Sequence, residues 1–181
     1  MLATQTEFKV PERSEVSEKN QVIFDQLEQK LGFVPNLYAY YAKNDTALSD
    51  YLHLNSRKST LSNKEKEIVN LVTSQINGCE YCLSAHTAIA KMNGFTDDQI
   101  IEIRSGKSTG NEKFDALTSF TSAVVNNQGS VNEADKDAFF EAGYDESNML
   151  DVVILIGDKT ISNYIHNLAK FEIDFPIAPS I

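Results

Sequence analysis

The 181-residue sequence holds two cysteines, Cys79 and Cys82, three positions apart, with His86 four positions beyond the second. On a helix this spacing puts all three side chains on one face, each about one turn from the next. Two thiols at that distance can make and break a disulfide. A histidine beside them can move the proton that separates an inert thiol from a nucleophilic thiolate. The thiolate attacks hydroperoxides and disulfides, and a second thiol nearby resolves the sulfenic acid or mixed disulfide before over-oxidation. Cys79, Cys82 and His86 therefore read as one redox-active dithiol site. Cys82, nearest the histidine, is the candidate for attack, with Cys79 resolving; the order in thioredoxin-type proteins is the reverse.

The surrounding residues predict the elements that present this site. Gly78 ends one helix, so Cys79 starts the next, which runs to Met92 and stops at Gly94. The free N–H groups and positive end of a helix N-terminus favour a thiolate there. Ser62-Asn63-Lys64-Glu65 is a capping box and opens the preceding helix, whose apolar side carries Ile68, Leu71, Val72 and Ile76. Glu65 and Glu67 lie on that helix. Either can orient His86 or relay its proton across the Asn77-Gly78 turn, and spacing does not choose between them.

The rest of the chain also reads as helix. Four Pro and eight Gly fall between periodic segments. Helices are predicted from Ser17 to Leu31 (Ile23, Leu27 and Leu31 inward, Gly32 as stop), Leu37 to Lys43, and from a cap at Asn44 or Asp45 through Asn55. Thr96 with Gln99 opens another through Ile103. After a polar loop, Ser105 to Asn111, come Lys113 to Asn127, Glu133 to Ala142 and Ser147 to Phe171. The fold class is all-α, a single domain over 1–181 with an extended C-terminal arm over 172–181. Helix, Gly78, helix, Gly94-Phe95-Thr96, helix is echoed by helix, Gly129, helix, Gly143-Tyr144-Asp145, helix, the pattern of two related helix-turn-helix units. Only the first holds cysteines.

Composition narrows the function. The net charge of -10 and pI near 4.7 repel phosphate backbones and anionic lipid, which argues against nucleic-acid or membrane partners. The first fifteen residues have no apolar signal core, and the longest strongly apolar run, Val152 to Ile156, is far short of a membrane span. A cytoplasmic location is expected, where a two-cysteine staple is not. Two other readings of the cysteines stand beside the redox one: small buried core residues, or zinc ligands with His86 and Glu67. One continuous helix is an awkward source for three ligands of a tetrahedron. A thioredoxin fold is disfavoured, because no strand precedes the pair and Glu80-Tyr81 includes neither Pro nor Gly.

LSNKEKEIVNLVTSQINGCEYCLSAHT resembles the core motif of the alkyl hydroperoxidase D-like (AhpD-like) proteins of the carboxymuconolactone decarboxylase superfamily: a Glu, eleven residues, then C-x-x-C-x-x-x-H. GFVPNLYAYYAKN and EIDFP are similar to the longer, peroxidase-related members. The register of the motif selects Glu67, with Cys79, Cys82 and His86 following. The resemblance implies an all-helical fold and peroxidase (antioxidant, oxidoreductase) activity through a dithiol–disulfide cycle with a Glu67/His86 proton relay. It also implies assembly into dimers, trimers or hexamers. Such chemistry needs a small hydroperoxide and an external dithiol reductant protein, and no metal or organic cofactor. One departure is that Glu80-Tyr81 stands where the hydroperoxidase has a His between the cysteines. Two rival functions are a lactone decarboxylase-type acid–base enzyme and a non-enzymatic redox-sensing or zinc-binding module.

Among the other candidates, His166 reads as a pocket residue or the donor of a local hydrogen bond, and His53 as structural. Tyr81 reads as a cover for the dithiol or a subunit contact. Glu172 and Asp174 read as solvated or at an interface.

Overall fold

In a computed structural model, which describes residues 8–107 and 109–181, the turn and capping signals of the sequence become helix ends at nearly every predicted place. Positions 1–7 of the N-terminal stretch and position 108 of the polar loop lie outside the described residues. Among those described there are nine α-helices and no strand: α1 (Glu18–Leu31), α2 (Asn36–Tyr41), α3 (Ala47–Asn55), α4 (Asn63–Ile76), α5 (Glu80–Met92), α6 (Asp97–Arg104), α7 (Glu112–Asn126), α8 (Glu133–Glu141) and α9 (Glu146–Ala169). The all-α class is as the sequence predicts. No helix among the described residues is long and apolar enough to cross a membrane.

Three local differences have physical reasons. The third helix starts at Ala47, because Asn44 acts from outside it: its side-chain oxygen accepts from the N–H groups of Thr46 (3.0 Å) and Ala47 (3.1 Å). The inward residues of α1 are Asn20, Phe24 and Leu27 rather than Ile23, Leu27 and Leu31. Leu31 is the last residue of the helix and is exposed. A 3-10 turn, Arg13–Glu15, is too short to show any periodicity and is held by Glu15 accepting from the Glu12 N–H at 2.7 Å.

The chain divides into two units. The first comprises 1–57 and 166–174. Here Asn20 donates to the carbonyls of Ala42 (3.0 Å) and Asn44 (3.1 Å), Tyr41 stacks on Tyr51 at 4.6 Å, and Asp174 accepts from the N–H of Asn36 at the start of α2 (2.6 Å). Asp174, read from its sequence as solvated or at an interface, thus has a structural task within this unit. His166 bonds the Phe171 carbonyl (3.0 Å), which is the local hydrogen bond foreseen for it, and His53 is exposed.

The second unit, 58–165 with 175–181, holds the dithiol. Its core is α4, packed on α5, α6 and α7, with Ile68, Val69, Leu71, Ile100, Ile103, Leu117, Phe139 and Val152 fully buried. α9 runs parallel to α4, as contacts at both ends show. Asp151 accepts from Thr60 N–H, Thr60 Oγ1 (2.8 Å) and Ser59 Oγ (3.0 Å), just ahead of α4. Twelve residues on, Asn163 bonds Ser74 and Asn77 at the other end of α4.

Over this stretch α9 buries Val152 in the core, with Leu155 and Ile156 packed against it, but much of its inward face is polar. Leu150, Val153, Ile154, Ile161 and Tyr164 face outward and are exposed. Asp151, Asp158, Lys159, Ser162 and Asn163 face inward and are buried.

Candidate active site

Cys79 is held by the turn between α4 and α5. The α4 helix ends in a Schellman motif: Gly78 takes φ +62°, and the N–H of Cys79 bonds the carbonyl of Ser74 at 3.0 Å. That positive φ suits a residue without Cβ. Cys79 is therefore both the residue that closes α4 and the N-cap of α5, and its Sγ accepts from the N–H of Cys82 at 3.3 Å. The helix-end amide expected to favour a thiolate serves Cys79 in this way. Both cysteines are free and buried.

The two thiols are driven apart in acidity. Cys82 is pushed down to about 7, first by the hydrogen bond it receives from the Cys79 thiol. Burial opposes this, while the Lys159 charge and the side chains of Asn163 and Ser162 favour it. Cys79 goes the other way: donating to Cys82 in a buried place, it is held far above an ordinary thiol. Once one proton has left the pair, the remaining one is shared by the two sulfurs, with the negative charge favoured on Cys82.

Glu67, on the buried face of α4, places its Oε2 2.8 Å from Nδ1 of His86. Its other oxygen accepts from Asn70 Nδ2 at 3.1 Å, so both oxygens are engaged. A carboxylate only accepts, so Nδ1 carries the hydrogen and Nε2 of a neutral ring is left as a proton acceptor. Burial, and then the Lys159 charge, pull the His86 pKa below its usual value; Glu67 opposes them. Neutral imidazole is the resting form near pH 7. Among the described residues no hydrogen bond joins His86 to either sulfur, so a small molecule or water must bridge them for a proton to pass.

Glu67 thus lies on α4, Cys82 and His86 on α5 and Cys79 at the N-cap between them, with the histidine and carboxylate paired. The other candidate carboxylate, Glu65, is occupied elsewhere: it closes the capping box with Ser62 and accepts from Tyr144 at 3.0 Å. No group of three or more His, Cys, Asp or Glu among the described residues is arranged to hold a metal ion. Tyr81 is buried and meets Phe175 edge-on at 5.6 Å.

Sequence reasoning missed the wall opposite, on α9. Lys159, Ser162 and Asn163 sit at i, i+3 and i+4, one inward face. Asn163 accepts from Asn77 at 2.9 Å and donates to Ser74 at 3.2 Å, which ties that face to the turn carrying Cys79. The available signal was the recurrence of polar residues at helical spacing (158/159, 162/163) within a helix otherwise rich in Ile, Leu and Val.

The geometry is thus a buried pair of free thiols beside a Glu–His hydrogen bond in an all-α frame. Residues 41–109 match the family described as the carboxymuconolactone decarboxylase family. No curated protein matches the chain in sequence. Solved structures share the fold over nearly all of it. A crystal structure described as an alkylhydroperoxidase AhpD core, an uncharacterized peroxidase-related protein from Ralstonia eutropha JMP134, is 22% identical with a TM-score of 0.83, covering 92% of this chain and 91% of its own. A peroxidase-related protein from Silicibacter sp. TM1040 is 20% identical with a TM-score of 0.79, covering 95% of each chain. The debrominase Bmp8 is 20% identical with a TM-score of 0.77, covering 95% of this chain and 94% of its own. The AhpD-like helical fold is common to all, and these likenesses establish the fold.

Proposed function

We propose that the protein is a thiol-dependent peroxidase that reduces a small hydroperoxide at Cys82 and regenerates through a Cys79–Cys82 disulfide. The observation that carries this reading is the pair of free, buried thiols at the start of α5, where Cys79 Sγ accepts from the Cys82 N–H, on the helix that also carries the Glu67-bonded His86. The acidified Cys82 supports it. The Cys82 proton passes to Nε2 of His86 through the bound substrate or a water. The thiolate then attacks the distal peroxide oxygen; an S–O bond forms, the O–O bond breaks, and the departing alkoxide takes the proton back from His86. Glu67 holds the ring with Nε2 free and steadies the transient imidazolium. Cys79 next attacks the sulfenic acid, forming the disulfide and releasing water. An external dithiol protein returns two electrons and two protons by thiol–disulfide exchange, which places the protein in a reducing compartment.

The test is the rate of dithiol-dependent hydroperoxide consumption in parent, Cys79→Ser and Cys82→Ser proteins. Cys82→Ser is expected to lose at least a hundredfold, and Cys79→Ser to stall after one equivalent. The parent rate rises as pH climbs through about 7, because the lowered Cys82 pKa means that the reactive thiolate is lost below it. Equal rates in parent and Cys82→Ser would sink the proposal.

A second reading rests on the Glu67–His86 pair, which alone is an acid–base unit of the kind a lactone decarboxylase needs. That activity would survive replacement of both cysteines by Ser. Self-association belongs to the first reading and is supported by the exposed apolar stripe Leu150, Val153, Ile154, Ile161 and Tyr164. Light scattering on the parent and on Ile161→Lys measures it: an assembly held by this stripe dissociates in the variant, and a monomeric parent removes this part of the reading.

A further inference from the structure

We propose that Lys159 is the counter-ion of the Cys82 thiolate, so that α9, and not the Glu67–His86 pair, decides which sulfur carries the charge. The inference rests on the peroxidase reading only for its biological use; the ion pair itself is independent of any peroxide.

Lys159 is only 4% exposed, on the inward face of α9. A lysine is rarely buried so far without an anion to meet it. The charged and titratable groups of this region come from three helices. On α4 the carboxylate is Glu67, and both its oxygens are already engaged, by His86 and Asn70. On α9 it is Asp158, the buried chain neighbour of Lys159 about 100° further around the helix, whose charge acts on His86 and raises its pKa. On α5 are Cys79, Cys82 and His86, while Glu80 is exposed.

The position of Lys159 along α9 follows from the contacts already described. Asn163, one turn further, is bonded to Ser74 and Asn77, and Ser74 holds Cys79 through its carbonyl. The ammonium acts on both Cys82 and His86, favouring the anionic sulfur and disfavouring a protonated imidazole. The anion left for Lys159 is the thiolate of Cys82. A neutral His86 then stays available as a proton acceptor, because the positive charge of the site is already in place on α9.

A redox consequence follows. Closing the Cys79–Cys82 disulfide removes the thiolate and strands a buried ammonium. The reduced form is thereby favoured over the disulfide, and the couple becomes more oxidising than it would be without Lys159.

The experiment is the pH dependence of iodoacetamide alkylation of Cys82 in the full-length reduced protein, resolved from Cys79 by peptide mass spectrometry. Parent, Lys159→Met, Lys159→Gln and Lys159→Arg are compared, each with its thermal melt, so that one well-folded neutral variant suffices. The parent midpoint is expected near 7. The neutral variants should move it up by at least one pH unit, which cuts alkylation at pH 7 about fivefold as the thiolate share falls from about a half to about a tenth. Lys159→Arg should stay near the parent. Equilibration with a glutathione buffer should show the disulfide of the neutral variants to be harder to reduce. A folded neutral variant with the parent's midpoint overturns the proposal, whether or not hydroperoxide is consumed. Conversely, a shifted midpoint in a protein that consumes no hydroperoxide upholds the ion pair and removes the peroxidase.

Discussion

The α4–α5 and α7–α8 hairpins use the same turn grammar for opposite ends. Each first helix closes in a 6→1 bond, Cys79 N–H to Ser74 O at 3.0 Å and Gly129 N–H to Val124 O at 2.9 Å. Each second helix starts from an N-cap side chain, Cys79 and Asn132, and runs out at a left-handed glycine, Gly94 and Gly143. Between those punctuation marks the contents diverge. The first hairpin buries Glu67, Asn70, Cys79 and Cys82, groups that must be paired or reactive. The second contributes Phe120 and Phe139, stacked at 4.2 Å, and Phe139 stacks on Tyr144 at 4.5 Å. Turn signals alone therefore say that a hairpin exists, while the buried side chains say whether it packs or reacts.

If that division is right, the two hairpins fail differently. The largest effect belongs to Phe139, fully buried and sandwiched between two rings. Phe139→Ala should cost about 3–5 kcal/mol, by lost transfer energy and a cavity the neighbouring rings cannot fill. Denaturant unfolding measures it, and the alkylation rate of Cys82 in the folded fraction should not change. A change there would mean that the aromatic hairpin sets the dithiol geometry too.

Glu67→Gln should do the reverse. The amide oxygen can still accept from Nδ1 of His86, so stability should change little. The variant loses the charge that steadies the imidazolium, and hydroperoxide consumption should fall roughly 10–100-fold, about 1.4–2.7 kcal/mol in the barrier. Since Glu67 opposes the downward shift of His86, the histidine should titrate at still lower pH in the variant, which NMR of the ring can follow. Unchanged turnover would assign the Glu67–His86 contact to packing alone.

The site was legible on the helices where chemistry and spacing coincide. Cys79, Cys82 and His86 lie within eight residues of one another, and Glu67 was selected by the register of the family motif that the sequence resembles; the structure pairs it with His86. The capping boxes at Ser62 and Thr96 were readable for a similar reason, being local hydrogen bonds between residues three apart. The α9 wall was not. Its contribution depends on Asp151 and Asn163 fixing α9 parallel to α4, contacts 86–92 residues apart in sequence. The mistake in α1 is of the same kind: a four-residue apolar spacing is satisfied by Ile23, Leu27 and Leu31, but packing chose the stripe with Asn20 and Phe24.

The smallest test compares the two closing turns directly. In the first hairpin the left-handed position of the motif is Gly78 at φ +62°; in the second it is Gln128 at φ +53°, followed by Gly129. A side chain in this conformation costs about 1–2 kcal/mol relative to the right-handed region, and glycine does not incur it. Gln128→Gly should therefore stabilise the protein, by up to about 1 kcal/mol after the greater freedom of glycine in the unfolded chain is subtracted. Gly78→Ala should destabilise it by about the same amount, although nothing lies within 4 Å of an added Cβ, because the strain is in the backbone. Urea midpoints measure both. Only Gly78→Ala should also slow Cys82 alkylation at pH 7, since relaxing that turn moves Cys79 and the proton it shares with Cys82. Should Gln128→Gly slow it equally, the two hairpins are mechanically coupled, and the separation of packing from chemistry drawn from their side chains does not hold.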